Sequence, residues 1–500
     1  MNNIDLSIPS RQSPKGILVI LVMSIKKVFK QAWPALIAIV FTGKDIFNSP
    51  WSALLFIGIP VVLLITHSIL YYLNFYFFIK DDEFVIKSGY LNKKTLSIPQ
   101  ERIQNINTKQ NLLQQLLGVS SLELDTAGTA SHELKIHALE HNHVKELYDY
   151  LSLQKEKSAP ISTDQSESTT FIKEKTQNNT ILKLSIPDLF RIGISRNHLK
   201  AGLVILAFGW QFFDQVTESL DIKQDQYYTD FQNYLLGSDL LIISSMLIFF
   251  LLISIIYSLV DTTLKYFDLR LIKTDHTYRL INGLFNRKDV LIPFNKIQEL
   301  EWNTNPLMRL LGLFQVKIAQ ASSAEVNIKH QQIIPGCRNN HIESLKKDLF
   351  GSNQPDQEKR FHTDNYYIRR LWLFWGWVPL AVSPVILLFN PWLWLIPPIW
   401  LGITLVMAYI HVQKRFLQIN TEQIKTSSGT FGQKWTQIEL FKLQNIQYNQ
   451  SIFQKRKKLA SLTIFTASGS ISIPFIKDDL AKELYGYLLY KIESTEKSWM

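Results

Sequence analysis

The sequence predicts a multi-pass α-helical membrane protein that carries three strand-rich modules outside the bilayer, each closed by a C-terminal helix. Two observations lead to this fold class. Apolar stretches long enough to cross a bilayer occur in pairs, and a polar region with alternating apolar residues follows each pair. Within these polar regions, a segment with the same residue types returns three times at fixed spacing, which indicates an internal repeat.

Six stretches have the length and apolar content of candidate spans. They are residues 31–48, 52–74, 199–216, 239–261, 371–389 and 391–411. Residues 17–30 end in three lysines, so we expect an interfacial amphipathic helix there instead of a cleaved signal. Lys and Arg flank each pair on the module side, whereas the loop 217–238 is acidic. Both termini and all three modules are therefore expected in the cytoplasm.

Composition narrows the classes of function. Cys337 is the single cysteine of the 500 residues, so an intrachain disulfide and a cysteine-based zinc site are excluded. The formal net charge is +11. In a membrane protein this charge indicates orientation and attraction to anionic lipid, and we expect no nucleic-acid partner.

A short motif marks each module. Gly89, Gly283 and Gly429 are each followed, 14 residues later, by an aliphatic residue between a basic residue and a glutamine. The three copies are Arg102-Ile103-Gln104, Lys296-Ile297-Gln298 and Lys442-Leu443-Gln444. The basic residues could contact phosphate headgroups. The alternative, that the motif is a strand required by the fold, is favoured because a pattern of period two usually reports packing.

These motifs give the chain a resemblance to a known family. Gly89, Ile98-Pro99, Leu117-Gly118 and Thr126-Ala127-Gly128 resemble the pattern of the bacterial PH-like (bPH2, DUF304) domain. The third repeat departs most, since Ile438-Glu439 stands in place of Ile-Pro. The whole chain is similar to the larger, three-module membrane proteins of the YdbT type. The resemblance implies PH-like split β-barrels in a bacterial cytoplasmic (inner) membrane and supplies no catalytic residue.

The pattern and the resemblance together predict eight segments. Residues 1–75 form an interfacial helix and the first transmembrane hairpin, 76–153 module 1, 154–180 a flexible linker, 181–265 the second hairpin, 266–350 module 2, 351–365 a linker, 366–412 the third hairpin and 413–494 module 3.

A run of four cations, Lys455, Arg456, Lys457 and Lys458, is the candidate lipid-binding site. On a module beside the bilayer it could bind anionic lipid, at roughly 1 kcal/mol per residue near the surface. The alternative is a solvated, charged loop.

Two histidine features are weaker candidates. His132, His137, His141 and His143 lie within twelve residues, but their spacing matches no zinc-ligand pattern and repeats two and three lack them, so we expect no metal or other cofactor. His67 lies inside an apolar stretch, where an ionisable residue could belong to a transport path.

No nucleotide-binding, hydrolase or metalloprotease motif occurs in the sequence. We therefore expect a non-catalytic scaffold that presents its modules to a protein partner or to anionic lipid, with a role in envelope maintenance or defence. The resemblance suggests a smaller, single-module PH-like membrane protein as partner, and homo-oligomerisation stays open. The alternatives are a lipid sensor acting through the basic third module and a transporter using the hairpins.

Overall fold

The structure is a computed structural model. It describes residues 8–42, 50–126, 134–140, 142–144, 146–147, 179–196, 198, 202–203, 207, 209, 211, 240–274, 277–320, 331–351, 360–377, 380–381 and 396–494.

The described residues include twenty β-strands. They are β1 (Tyr76–Lys80), β2 (Glu83–Ser88), β3 (Lys94–Pro99), β4 (Ile103–Asn111), β5 (Val119–Thr126), β6 (Leu134–Glu140), β7 (Asn179–Lys183), β8 (Arg270–Thr274), β9 (Thr277–Asn282), β10 (Asn286–Pro293), β11 (Ile297–Thr304), β12 (Phe314–Gln320), β13 (Gln331–Cys337), β14 (Arg360–His362), β15 (Phe416–Ile419), β16 (Gln423–Ser428), β17 (Gln433–Glu439), β18 (Leu443–Asn449), β19 (Leu459–Thr466) and β20 (Gly469–Lys477).

The α-helices of the described residues are α1 (Gly16–Thr42), α2 (Pro50–Leu73), α3 (Leu112–Leu117), α4 (Ile186–Ser195), α5 (Leu240–Tyr266), α6 (Pro306–Leu310), α7 (Asn339–Phe350), α8 (Tyr366–Trp372), α9 (Ile396–Gln413), α10 (Ile452–Arg456) and α11 (Asp478–Ser494). The four longest of these α-helices, α1, α2, α5 and α9, lie in or beside the apolar stretches.

The prediction of a multi-pass α-helical membrane protein is wrong. Among the described residues, one helical segment, Ile248–Tyr266 in α5, is long and apolar enough to cross a membrane. The fold is built mainly from β-sheets, which form the PH-like modules. The sequence predicts pairs of membrane-spanning helices because its hydropathy is high over stretches of about 20 residues. A span also requires these apolar residues to lie in one continuous helix.

No second helix of this length and apolar content occurs among the described residues of the other stretches. Helix α1 runs without a break through the expected interfacial helix and most of the first span, and it carries Lys26, Lys27 and Lys30. The apolar helix Gly58–Leu73 within α2 is shorter than a span. Most of the third and fifth stretches lies outside the described residues.

Each module consists of two groups of three strands. The groups are β1–β3 and β4–β6, β8–β10 and β11–β13, and β15–β17 and β18–β20. In modules 1 and 3, alternating apolar residues place one face of each group in a common core. In module 1 this core joins Phe84 and Ile98 of the first group to Leu122 and Ile136 of the second. The result is a split barrel, with the core between two small sheets.

The recurring glycines lie at the turn before the third strand of each module. Gly89 and Gly283 have φ of 94° and 101°, a conformation that side chains rarely adopt. A Cβ at Gly89 would also lie 2.2 Å from the carbonyl oxygen of Asn92. Both restrictions explain why glycine recurs at this position.

A helix packs on the second group where the end of the module is described. Helix α11 closes module 3 through Leu484 and Leu488, which belong to the core that contains Leu462 and Ile473. Helix α7 follows β13 in module 2. In module 1 most of the expected helix, 140–153, lies outside the described residues.

Successive modules share sheets. Strand β4 of module 1 pairs antiparallel with β10 of module 2, and β11 of module 2 pairs antiparallel with β17 of module 3. The second group of one module therefore continues into the first group of the next. We call these two contacts junction 1 (β4–β10) and junction 2 (β11–β17).

Junction 2 contains a buried charge network. The Glu301 carboxylate is 6% exposed and forms ion pairs with Lys317 of β12, at 2.8 Å, and with Lys434 of β17. Burial raises the pKa of this carboxyl, but hydrogen bonds from the two ammonium groups outweigh burial and leave the pKa below its ordinary value. Beside it, Trp302 and Trp435 stack across the junction with ring centroids 6.0 Å apart.

The chain clusters into two compact units. The first comprises residues 1–177, 185–270 and 279–291, and the second comprises 178–184, 271–278 and 292–500. The module limits expected from the sequence remain predictions.

Candidate functional site

The four cations lie at the end of a short helical turn that all three modules contain. This turn joins the fourth and fifth strands of each module. We call residues 111–118, 305–312 and 451–458 tip 1, tip 2 and tip 3. Lys455 to Lys458 form the second half of tip 3 and are all exposed.

The start of each tip is built by a side-chain cap. In tip 3, Ser451 accepts a hydrogen bond from the backbone N–H of Gln454, and the Gln454 side chain accepts one from the Ser451 N–H. Asn111 and Gln114 make the same reciprocal pair in tip 1. This capping box fixes the turn because it satisfies backbone donors that would otherwise be unpaired.

A buried glutamine anchors two of the tips to the sheet. Gln454 is 3% exposed, and its Nε2 donates to Ser461 Oγ at 2.7 Å. In tip 1, Gln114 Nε2 donates to Ser121 Oγ and to the carbonyl oxygen of His137. Tip 2 has Met308 at this place, also buried. The tips are therefore held by internal contacts while their outer residues face away from the core.

The end of each tip requires a left-handed residue. Gly118 and Gly312 have φ of 66° and 64°, as expected of a glycine after a helix. Lys458 occupies the equivalent position with φ of 52°. A lysine thus stands where the other tips have glycine, and it extends the cationic run to the start of β19.

The outer residues of the tips are large and apolar. Leu116 of tip 1 is 80% exposed and Leu310 of tip 2 is 83% exposed. In tip 3, Ile452 and Phe453 are 73% and 67% exposed, and Arg456 takes the place of the leucine. Tip 3 therefore combines an exposed apolar first half with a cationic second half.

Sequence reasoning identified the cations of tip 3 but missed its apolar half. The signal was present, since Ile452-Phe453 directly precedes Gln454 and the cations, and the other tips are rich in leucine. It was overlooked because a short apolar run next to a strand is usually core.

The four cations are available for a ligand. Among the described residues, none of them forms an ion pair with a carboxylate. Lys457 Nζ lies 5.9 Å from the centroid of the Tyr366 ring, a weak cation–π contact.

Tips 1 and 2 lie against the turn of the following module. Gln115 Nε2 in tip 1 donates to the carbonyl oxygen of Leu284 at 3.0 Å. Beside tip 2, a Cβ at Gly432 would lie 2.5 Å from the carbonyl oxygen of Thr304, so glycine permits the close approach.

The recurring basic residues lie in three different environments. Each ends a 3₁₀ turn, but Arg102 is exposed, Lys296 is half-buried and Lys442 is 7% exposed. Lys442 Nζ is paired with Glu439 at 2.5 Å. Their suggested contact with phosphate headgroups stays a prediction.

The recurring glutamines lie at a strand irregularity. The pairing register shifts between Ile103 and Asn105, and equivalent shifts occur in β11 and β18, so each glutamine is at a β-bulge. Gln298 is buried and Gln444 is exposed. The side chain of Gln104 lies outside the described residues.

Among the residues that the structure describes, the histidine candidates form no group of metal ligands. His132 and His141 lie outside the described residues, and no group of potential metal ligands occurs among the residues that the structure describes. Burial lowers the pKa of His137. His67 Nδ1 lies 3.0 Å from the hydroxyl oxygen of Tyr90, which links α2 to module 1.

Three consecutive split-barrel modules, each with the same tip, define a protein of repeated PH-like domains. The family model described as "Bacterial PH domain" matches residues 20–155, 231–350 and 373–492. The chain therefore belongs to the bacterial PH domain family, and the resemblance drawn from its motifs is confirmed. The chain is also similar to the UPF0699 transmembrane protein YdbT of Bacillus subtilis (strain 168), with 22% identity over 449 residues that cover 88% of this chain and 89% of the relative.

Proposed function

We propose that this protein is a non-catalytic protein of a bacterial membrane that presents its PH-like modules to anionic lipid at the cytoplasmic face. The observation that carries the proposal is tip 3, where exposed Ile452 and Phe453 adjoin four exposed cations. Apolar side chains beside a cationic cluster fit the boundary between acyl chains and anionic headgroups.

The magnitude of this attraction is sufficient to orient a tethered module. Basic residues near an anionic surface contribute roughly 1 kcal/mol each, so the four contribute about 4 kcal/mol before screening by salt. Burial of Ile452 and Phe453 in the interface would add an apolar contribution that salt does not screen. The combination predicts binding that salt weakens without abolishing.

Membrane association has separate support. The relative in Bacillus subtilis is named a transmembrane protein, and α5 contains a segment with the length and composition of a span. Lys and Arg flank the apolar helices on the side of the modules, which favours a cytoplasmic position for the modules. A binding role fits the fold, because PH-like barrels serve widely as binding modules.

The test places a reporter on tip 3 of the full-length protein. Phe453→Cys, labelled with an environment-sensitive fluorophore, is reconstituted in phosphatidylcholine vesicles with or without phosphatidylglycerol. We expect a blue shift that requires the anionic lipid. Neutralisation with Lys455→Gln, Arg456→Gln, Lys457→Gln and Lys458→Asn should remove the lipid dependence. Asparagine is chosen at 458 because it tolerates the left-handed conformation.

Tip 2 supplies the matched control. Leu310 is also largely exposed, but tip 2 has Arg309 as its single cation, so a label at Leu310→Cys should respond similarly in both vesicle types. An equal signal from tip 3 in both vesicle types, or a lipid dependence that survives neutralisation, would contradict the proposal.

A further inference from the structure

Both junctions use the same two strand edges. In each case the fourth strand of one module pairs with the third strand of the next, β4 with β10 and β11 with β17. These edges are therefore complementary parts of a repeated contact.

The two junctions also have the same register. In junction 1, Thr108 pairs with Asp289, and in junction 2, Trp302 pairs with Trp435. Thr108 and Trp302 each stand five residues after the motif isoleucine. Asp289 and Trp435 each stand three residues before the isoleucine at the second-last position of the third strand. The strand pairing therefore has the same register between modules 1 and 2 as between modules 2 and 3.

Among the described strands, one copy of each edge has no neighbouring strand. Strand β3 of module 1 and strand β18 of module 3 are each the outer strand of a three-stranded sheet among the described strands. The far side of the first sheet is occupied, since the N–H of Ser10 donates to the carbonyl oxygen of Phe77 at 3.0 Å.

Exposure shows that both outer strands are open. Gln444 and Gln447 of β18 are exposed, whereas their equivalents in β11, Gln298 and Glu301, are buried under the junction. In β3, Ser97 is exposed, and its equivalent in β17 is buried.

Strand β18 also lacks the features that protect free edges. Natural edge strands usually carry lysine, proline or an inward charge that prevents pairing. The sequence of β18, LQNIQYN, contains neither charge nor proline. Strand β3 carries Lys94, but Lys288 and Lys434 stand at the same position in the strands that do pair, so this lysine is compatible with the contact.

We propose that β18 of one copy pairs antiparallel with β3 of a second copy, which repeats the junction between molecules. The shared register places Tyr448 opposite Thr95 and Asn449 opposite Lys94. Such a contact joins different surfaces of two identical chains, so it is heterologous and produces a ring or a row. The proposal does not depend on lipid binding by tip 3.

The test is crosslinking between two differently tagged full-length copies in the same membrane, one with Lys94→Cys and the other with Asn449→Cys. Both positions are exposed. The natural thiol does not interfere, because Cys337 is fully buried and burial raises its pKa to about 12. We expect a crosslinked dimer that carries both tags.

Three controls define the register. The intrachain pair Asn303→Cys with Lys434→Cys stands at the equivalent place in junction 2 and should crosslink within one copy. Lys94→Cys with Asn445→Cys is out of register by four residues, about 13 Å along the strand, and should not crosslink. Lys87→Cys with Asn449→Cys reports random collision, since Lys87 is exposed on β2, away from the edge.

A charge variant tests the contact without cysteine. Asn449→Lys places like charges opposite Lys94 and should weaken self-association about two- to fivefold, while adding Lys94→Glu should restore it. A dimer yield no higher than that of the collision control, with the intrachain control working, would overturn the proposal. Capture of Asn449→Cys by a different chain instead of by Lys94→Cys would overturn it as well.

Discussion

Lys458 stores backbone strain that glycine would relieve. Its φ of 52° is left-handed, and the other two tips have glycine at this position. Holding a residue with a Cβ in this region costs about 1–2 kcal/mol. Glycine in turn loses about 0.5–1 kcal/mol more than other residues when the chain folds, because its unfolded state is less restricted. Lys458→Gly should therefore stabilise tip 3 by a net amount of about 0.5–1 kcal/mol.

Steric effects do not complicate this estimate. A Cβ built at Gly118 or Gly312 meets no atom within 4 Å, so the difference between glycine and lysine at this position is conformational. The reverse substitution, Gly312→Lys, should consequently destabilise tip 2 by a similar amount.

Hydrogen–deuterium exchange of full-length protein in detergent measures the effect locally. Amides of β19, which follows Lys458, should exchange about two- to fivefold more slowly in Lys458→Gly. Amides of β12 should exchange faster in Gly312→Lys by a similar factor. Lys458→Gln removes the charge but keeps the Cβ, so it should leave the exchange rate unchanged. Equal protection of β19 in Lys458→Gly and Lys458→Gln would refute the reasoning.

Two further predictions concern buried groups. Glu301→Gln should destabilise junction 2 by about 1–2 kcal/mol at neutral pH, a discounted value because its lysine partners reach water. The folded pKa of Glu301 lies below 4.5, so the stabilisation by its carboxylate is present above that pH and is lost as pH falls through the folded pKa. The acid unfolding curve of Glu301→Gln should therefore lack this loss. Identical acid unfolding curves for Glu301→Gln and the unchanged protein would contradict the prediction. Cys337 should resist maleimide at neutral pH until the protein unfolds, because the thiol is buried and its pKa is raised to about 12; rapid labelling of the folded protein would contradict this.

Local features of the modules could be predicted from the sequence because they depend on neighbouring residues. Alternation of apolar and polar residues predicted antiparallel strands, and the recurring glycine predicted a turn that the structure places at positive φ. The Arg102-Ile103-Gln104 pattern was interpreted as structural, and the structure places it at a 3₁₀ turn followed by a bulge, although its other suggested role stays untested.

The shared sheets could not be predicted in this way. Pairing of Lys109 with Lys288 joins residues far apart in the chain, and like charges facing each other argue against contact when only the sequence is read. The structure shows the compensation, because Glu123 of the neighbouring strand forms ion pairs with Lys109 and Lys135. Such compensation involves three strands, and no local pattern reports it.

Because neighbouring modules share sheets, deleting one module exposes a strand of the next. Removing module 3 would uncover β11, where Glu299, Glu301 and Trp302 are buried against their surroundings. The surroundings of the Glu299 and Glu301 side chains would then change, and Glu301 would lose its ion pair with Lys434. Loss of function after such a deletion would not show that module 3 binds a ligand. Point variants on the exposed residues of tip 3 and on the open edges of β3 and β18 separate binding from folding, because these positions lie outside the junctions.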